Sequence, residues 1–512
     1  MPTTWETFPI EFRGGLISNQ SPLQQGINNV GSATLLQNYE PAKDGGYAKI
    51  RGFEKAYPDV VPGSGRLLGT VVADANKTIA VRSTGTVSRY HYNAGSGWST
   101  AATAASLGGR VRFARINFNG TDKIIFVDGV NAPAVYTLST DSVTFLTTAP
   151  TDILASTSVA EFKSHAFYAK GDILSFSAPF NEADFLVANG AGTIRVGSPI
   201  TGLAVFRNTL IVFSQTRVQQ VTGSSVSDFA LLPITEDIGC IDGNTIQEIG
   251  GDIMYLAPDG LRLLSATDRN DDFALDVASD PIQKTATSFL NSGGDFCSLV
   301  IREKAQYRIL SYISSESTAV SRGLLATKFS DQGAGRIEWA TTKGIRACVC
   351  DSFYVGNFEK VVFGNQDGYV YRLDIGNSFD GEPIEAIYES PFMPIQDPQI
   401  RKSFYKLTLY VSPNGGLDLN CNIRYDFGRV NGVALIQPPT INFMSGGSAV
   451  FTYGSSTAIY GTATYGGELD NVYNKMMVGS GKTFSLRFEE NSTNPSHTLD
   501  SAIVEFKSLD RQ

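Results

Sequence analysis

The sequence predicts an all-β protein: a β-propeller of about seven blades, with an additional C-terminal β-sandwich-like domain and an extended N-terminal arm. Two observations carry that expectation. In 512 residues there are 51 Gly, 31 Phe and 21 Tyr against 18% charged residues, the composition of many short strands joined by tight turns. The second observation is a repeat. An apolar run, a short polar or glycine-bearing turn and a second alternating run recur along the middle of the chain, as in Ile253-Met254-Tyr255-Leu256, Pro258-Asp259-Gly260 and Leu261-Arg262-Leu263-Leu264. With Ile79, Ile124, Phe167, Leu210, Ile253, Ile309 and Val361 as markers, the intervals are 45, 43, 43, 43, 56 and 52 residues.

A strand-only repeat of about 40–50 residues is the period of propeller blades. A sheet of three or four short strands has two apolar faces and cannot bury both alone; stacking around an axis buries them. An array of β-sandwiches is the competing architecture, and the near-equal spacing favours the propeller. The two longer intervals contain Ser-rich stretches such as Ser314-Ser315-Glu316-Ser317-Thr318 and are read as loop insertions. Residues 1–62 fall outside the period and are rich in Gly, Asn, Gln and Pro. They are expected to form an arm making assembly contacts, so that a chain truncated near Gly63 stays folded. The propeller is assigned to residues 63–390 and the C-terminal β-domain to 391–512, where Ser403–Val411, Phe484–Phe488 and Ala502–Phe506 alternate as strands.

Charge and titratable residues narrow the chemistry. A net charge of −9 argues against a protein that clings to nucleic acid, although a whole-chain balance does not exclude a local basic stripe. No run of eighteen apolar residues is present, so no membrane-spanning segment is expected, and the N-terminus lacks the pattern of a secretion signal. Cys240, Cys297, Cys348, Cys350 and Cys421 are scattered and are expected to be reduced, buried thiols, with Cys348 and Cys350 on one strand face. His91, His165 and His497 lie in different segments without a second ligand at metal spacing. The adjacent carboxylates Glu236-Asp237, Asp271-Asp272 and Glu489-Glu490 point to opposite strand faces, or sit in turns as solvated charges. Pro258-Asp259-Gly260 and Gln366-Asp367-Gly368 are explained as hairpin turns. The expectation is a non-enzymatic chain with no cofactor and no metal.

Several stretches resemble a known family. Phe12-Arg13-Gly14-Gly15-Leu16, Leu36-Gln37-Asn38-Tyr39-Glu40-Pro41, Gly45-Gly46-Tyr47 and Ile50-Arg51-Gly52-Phe53 resemble the start of podoviral tail proteins. So do Ile200–Phe213, Pro233–Cys240 and Pro258–Arg262, and the similarity runs in order through most of residues 10–375. These are similar to the tail nozzle, or packaged-DNA-stabilisation, proteins of short-tailed bacteriophages. The resemblance implies a structural protein of the virion tail, assembled in the host bacterial cytoplasm. It also implies a homo-oligomer, commonly a hexamer, contacting the head-to-tail adaptor and tail fibre or spike proteins. Its channel would retain the genome and let the DNA pass at ejection. The wall of that channel is expected to be acidic or neutral, and an aromatic hairpin bearing Tyr453, Tyr460 and Tyr465 is the candidate gate. The rival reading is a glycan-binding or glycan-degrading propeller used in host attachment.

Overall fold

The computed structural model describes residues 5–264, 277–329, 336–430, 433–434, 437–444 and 471–509. The repeat read from the sequence is a ring of seven blades. Six are small separate sheets, at 67–103, 112–145, 158–195, 200–235, 247–263 and 349–373; the sixth in chain order, 295–343, is the first part of a nine-stranded sheet. All seven markers fall on the second strand of successive blades: Ile79 in Thr78–Ser83, Ile124 in Thr121–Val127, and so on to Val361 in Phe358–Gly364.

Strand alternation explains the ring. Side chains of successive strand residues point to opposite faces, and here both faces of each second strand are buried. Ile124 and Phe126 pack toward the first blade, against Ile79 and Val81, while Ile125 and Val127 pack toward the third, against Ala166 and Tyr168. Phe167 and Ala169 then meet Leu210 and Val212 of the fourth blade, whose Ile211 and Phe213 meet Ile253 and Tyr255 of the fifth. Met254 and Leu256 continue into the core of the sixth. The circle closes where Val349 and Val362 of the seventh blade pack on Leu67, Val72 and Ala80 of the first.

The seventh blade takes its outermost strand from the other end of the chain. Phe53–Lys55 pairs antiparallel with Val370–Leu373, and Phe53 stacks on Phe379 at 5.1 Å. The N-terminal residues, expected as an arm, supply strands to the seventh blade, to the sheet that extends the sixth and to the sandwich. Leu35–Gln37 lies between Arg336–Lys343 of the sixth blade and Ile384–Glu389. Through this three-residue strand the blade continues into Ile384–Glu389, Phe484–Ser492, Asp418–Tyr425 and Ile441–Met444. Glu6–Glu11 and Tyr47–Lys49 both pair with His497–Ser508 in a second, seven-stranded sheet that also contains Lys402–Pro413. The two sheets face each other as a sandwich, with Phe404 against Phe484 at 5.1 Å and Phe12 against Tyr388 at 5.0 Å.

The longest marker interval holds more than a loop. Gln283–Asn291 is an α-helix that buries Ala286 and Phe289, an element that short apolar spacing in a strand-rich chain did not reveal. Among the described residues no helix is long and apolar enough to cross a membrane.

Candidate functional site

Two places concentrate polar groups inside this fold: the propeller axis and the joint between propeller and sandwich. The axial cavity has a volume of about 280 Å³ and is lined by residues of the inner strands and the turns that precede them. Four arginines border it, Arg110, Arg112, Arg115 and Arg302. Arg115 donates from Nη2 to Asp351 Oδ2 at 2.6 Å and to the Val72 carbonyl at 3.1 Å, and the Val72 N–H donates to the same carboxylate oxygen at 2.8 Å. Arg112 lies 3.8 Å from Asp242 and donates from Nε to Asn244 Oδ1 at 3.1 Å. Arg302 donates from Nη1 to Glu359 Oε1 at 3.0 Å and to Ser352 Oγ at 3.0 Å. Burial lowers the Arg112 pKa; Asp242 opposes that and the neighbouring Arg110 adds to it.

This site was not anticipated, and the whole-chain balance of −9 hides it. Its trace in the sequence is Arg110-x-Arg112, two cations at the entry to the strand Arg112–Phe118. Asp351 is the one carboxylate lining the cavity among the described residues, and it is engaged by Arg115. Hydrolysis of a glycosidic bond uses two carboxyl groups about 5–9.5 Å apart, an arrangement the axial lining does not provide.

The joint is built from buried ion pairs. Arg308, fully buried, donates from Nη2 to Glu40 Oε2 at 2.9 Å, to Gln306 Oε1 at 3.0 Å and to Asp374 Oδ1 at 3.3 Å. Lys304 Nζ bridges the same two carboxylates at 2.7 Å each. Burial acts to raise the Asp374 pKa, but Arg308 and then Lys304 outweigh it and hold the group below its ordinary value. Within the sandwich, Glu490 pairs with His497 Nδ1 at 2.9 Å and with Lys49 Nζ at 3.2 Å, and His497 Nε2 meets the Tyr39 hydroxyl at 2.7 Å. Glu490 is 1% exposed. The sequence reading of Glu489-Glu490 as solvated charges is therefore corrected: the two do point to opposite faces of Phe484–Ser492, and that places Glu490 inside.

Burial raises the Glu490 pKa, His497 and Lys49 lower it further than that, and the net shift is downward from 4.5. A depressed folded-state pKa gives stability that is present above 4.5 and lost as pH falls through the lowered value. Glu490→Gln should lower stability by roughly 3 kcal/mol at neutral pH, since Lys49 loses its buried partner. In urea denaturation the gap between wild type and variant should hold between about pH 7 and pH 5 and shrink below pH 4.5. A gap independent of pH would contradict the ion-pair assignment.

The remaining sequence candidates are dispersed. His91 belongs to the first blade, where burial and then Arg89 lower its pKa to about 4; His165 belongs to the third, with Nδ1 2.6 Å from the Ser177 carbonyl. The five cysteines are free thiols, and burial pushes Cys240 to about 11 and Cys348 to about 12, far from a reactive thiolate. Glu236 and Asp237 are exposed in the turn after Ala230–Thr235. Gly260 and Gly368, in the two predicted turns, have φ of +144° and +87°. Among the described residues no group of three His, Cys, Asp or Glu could hold a metal ion. Asp271, Asp272, Tyr453, Tyr460 and Tyr465 lie outside the described residues.

No family model matches the chain, and no curated protein matches it. Among solved structures it is similar to PorZ, a bacterial surface component of the type-IX secretion system of Porphyromonas gingivalis. That match has 10% identity and a TM-score of 0.39, covering 67% of this chain and 43% of that one. The extracellular domain of a hybrid two-component system from B. thetaiotaomicron matches at 10% identity and a TM-score of 0.37, covering 65% and 41%. An exo-β-1,3-galactanase from Phanerochaete chrysosporium matches at 11% identity and a TM-score of 0.27, covering 89% and 100%. The chain thus spans about two fifths of the length of the first two.

Proposed function

We propose that this chain is a structural component of the tail of a short-tailed bacterial virus, working as a homo-oligomeric ring around the path of the genome. One observation supports the reading most. The segments that resemble podoviral tail proteins, Phe12–Leu16, Leu36–Pro41, Gly45–Tyr47 and Ile50–Phe53, are the ones that fasten propeller to sandwich. Tyr47 accepts a hydrogen bond from the Gly15 N–H at 3.0 Å and donates to the Gly31 carbonyl at 3.0 Å. Gly15 itself has φ +64°, and a Cβ there would stand 2.8 Å from the Trp339 backbone nitrogen, so glycine is the residue that this approach allows. Strands shared between two bodies leave no flexible linker to act as a hinge. Such a block suits a wall that must hold its shape under the pressure of packaged DNA.

The rival remains a glycan-binding or glycan-degrading propeller. Peptide mass spectrometry of purified phage particles, paired with a glycan array and a hydrolysis assay on the isolated chain, separates the two. The tail reading expects the chain in particles at a stoichiometry of several copies and no glycan signal. A chain missing from particles that binds or cleaves a defined glycan would favour the rival.

A further inference from the structure

We propose that the propeller axis binds a compact oxyanion, a carboxylate or phosphate carried on a small molecule, with Arg110 as its principal contact and Arg112 beside it. The inference is independent of the tail reading. Three of the four axial arginines have acidic partners, Asp242, Asp351 and Glu359. Arg110 has none among the described residues, and its Nε is buried with no protein acceptor; the Nε of Arg115 is in the same position. A partly buried guanidinium next to a second one is unfavourable unless an anion offsets the desolvation and the repulsion.

The backbone around Arg110 is fixed, which makes the position a built one. Gly109 N–H donates to the Asp128 carbonyl at 3.0 Å, and Val111 N–H to the Leu68 carbonyl at 2.8 Å. Gly243 leaves the space that Arg112 fills: a Cβ there would lie 2.8 Å from Nη1. The planar fork of a guanidinium matches carboxylate and phosphate oxygens. A cavity of about 280 Å³ is near the lower end of small-molecule sites. It has room for a phosphate or one sugar acid.

The test uses the full chain and two probes, inorganic phosphate and glucuronate, each titrated against chloride at constant ionic strength, with thermal melting and calorimetry as readouts. One or both probes should raise the melting temperature of the wild type; phosphate alone would indicate a tetrahedral anion, glucuronate alone a carboxylate. Arg110→Gln should bind roughly 10- to 100-fold more weakly. In chloride it should melt at or above the wild type, because it removes an uncompensated charge. Failure of both probes to shift the wild type would overturn the proposal, as would an equal response from the variant. A variant that does not fold in chloride would assign Arg110 to the fold and overturn it as well.

Discussion

A chain beginning at Gly63 is expected to be insoluble or unfolded, in contrast to the stable core that the sequence alone suggests. The deletion removes Phe53–Lys55 and leaves Val370–Leu373 as a bare edge. It removes Leu35–Gln37, through which the sixth blade joins the sandwich. It also strips Phe12, Leu16, Leu36, Tyr39, Tyr47 and Ile50 from the core, where none is more than 3% exposed. At about 1.5–3 kcal/mol for each large side chain, six such losses come to about 9–18 kcal/mol, comparable with the roughly 5–15 kcal/mol by which a typical domain is stable. Soluble yield and circular dichroism of residues 63–512 against the full chain check this. A soluble fragment with cooperative melting would show that the N-terminal segment is an appendage after all.

Replacing Arg308 by Leu should destabilise the chain by roughly 3–5 kcal/mol, the usual effect of leaving buried carboxylates without their partner. Glu40 and Asp374 would keep only Lys304. Because the penalty comes from uncompensated charge, adding Glu40→Gln and Asp374→Asn to the same chain should recover a substantial part of it. Equilibrium denaturation of the single and triple variants measures both effects. A single-variant loss below about 1 kcal/mol would mean that the network is solvated and does not lock the joint.

Much of the propeller is visible in the sequence because each second strand is apolar on both faces and returns at a near-constant interval. Ile124, Ile125, Phe126 and Val127 could be placed without knowing what they touch. The joint is not visible. Leu35–Gln37, Tyr39–Pro41 and Phe53–Lys55 are three residues long, too short for any period to register, and the partners of the first and the last lie some hundreds of positions away. Composition marked this stretch as turn-rich, which is true of the loops between those strands and silent about the strands themselves. Glu490 was misplaced for a related reason: its buried carboxylate meets Lys49, which arrives from the far end of the chain, as well as His497 at the start of the next strand. The axial arginines escaped notice because ring closure, and no local pattern, brings Arg110 and Arg112 near Arg302 and Asp351.

The proposed role requires propeller and sandwich to act as one unit within a ring of a viral tail. Electron cryomicroscopy of the intact tail tests it most directly. The account predicts several copies of this chain around the tail axis, each with the sandwich fixed to the sixth blade through Leu35–Gln37 as in the single chain. Tails without the chain would contradict it, as would subunits whose two bodies are reoriented about an open joint.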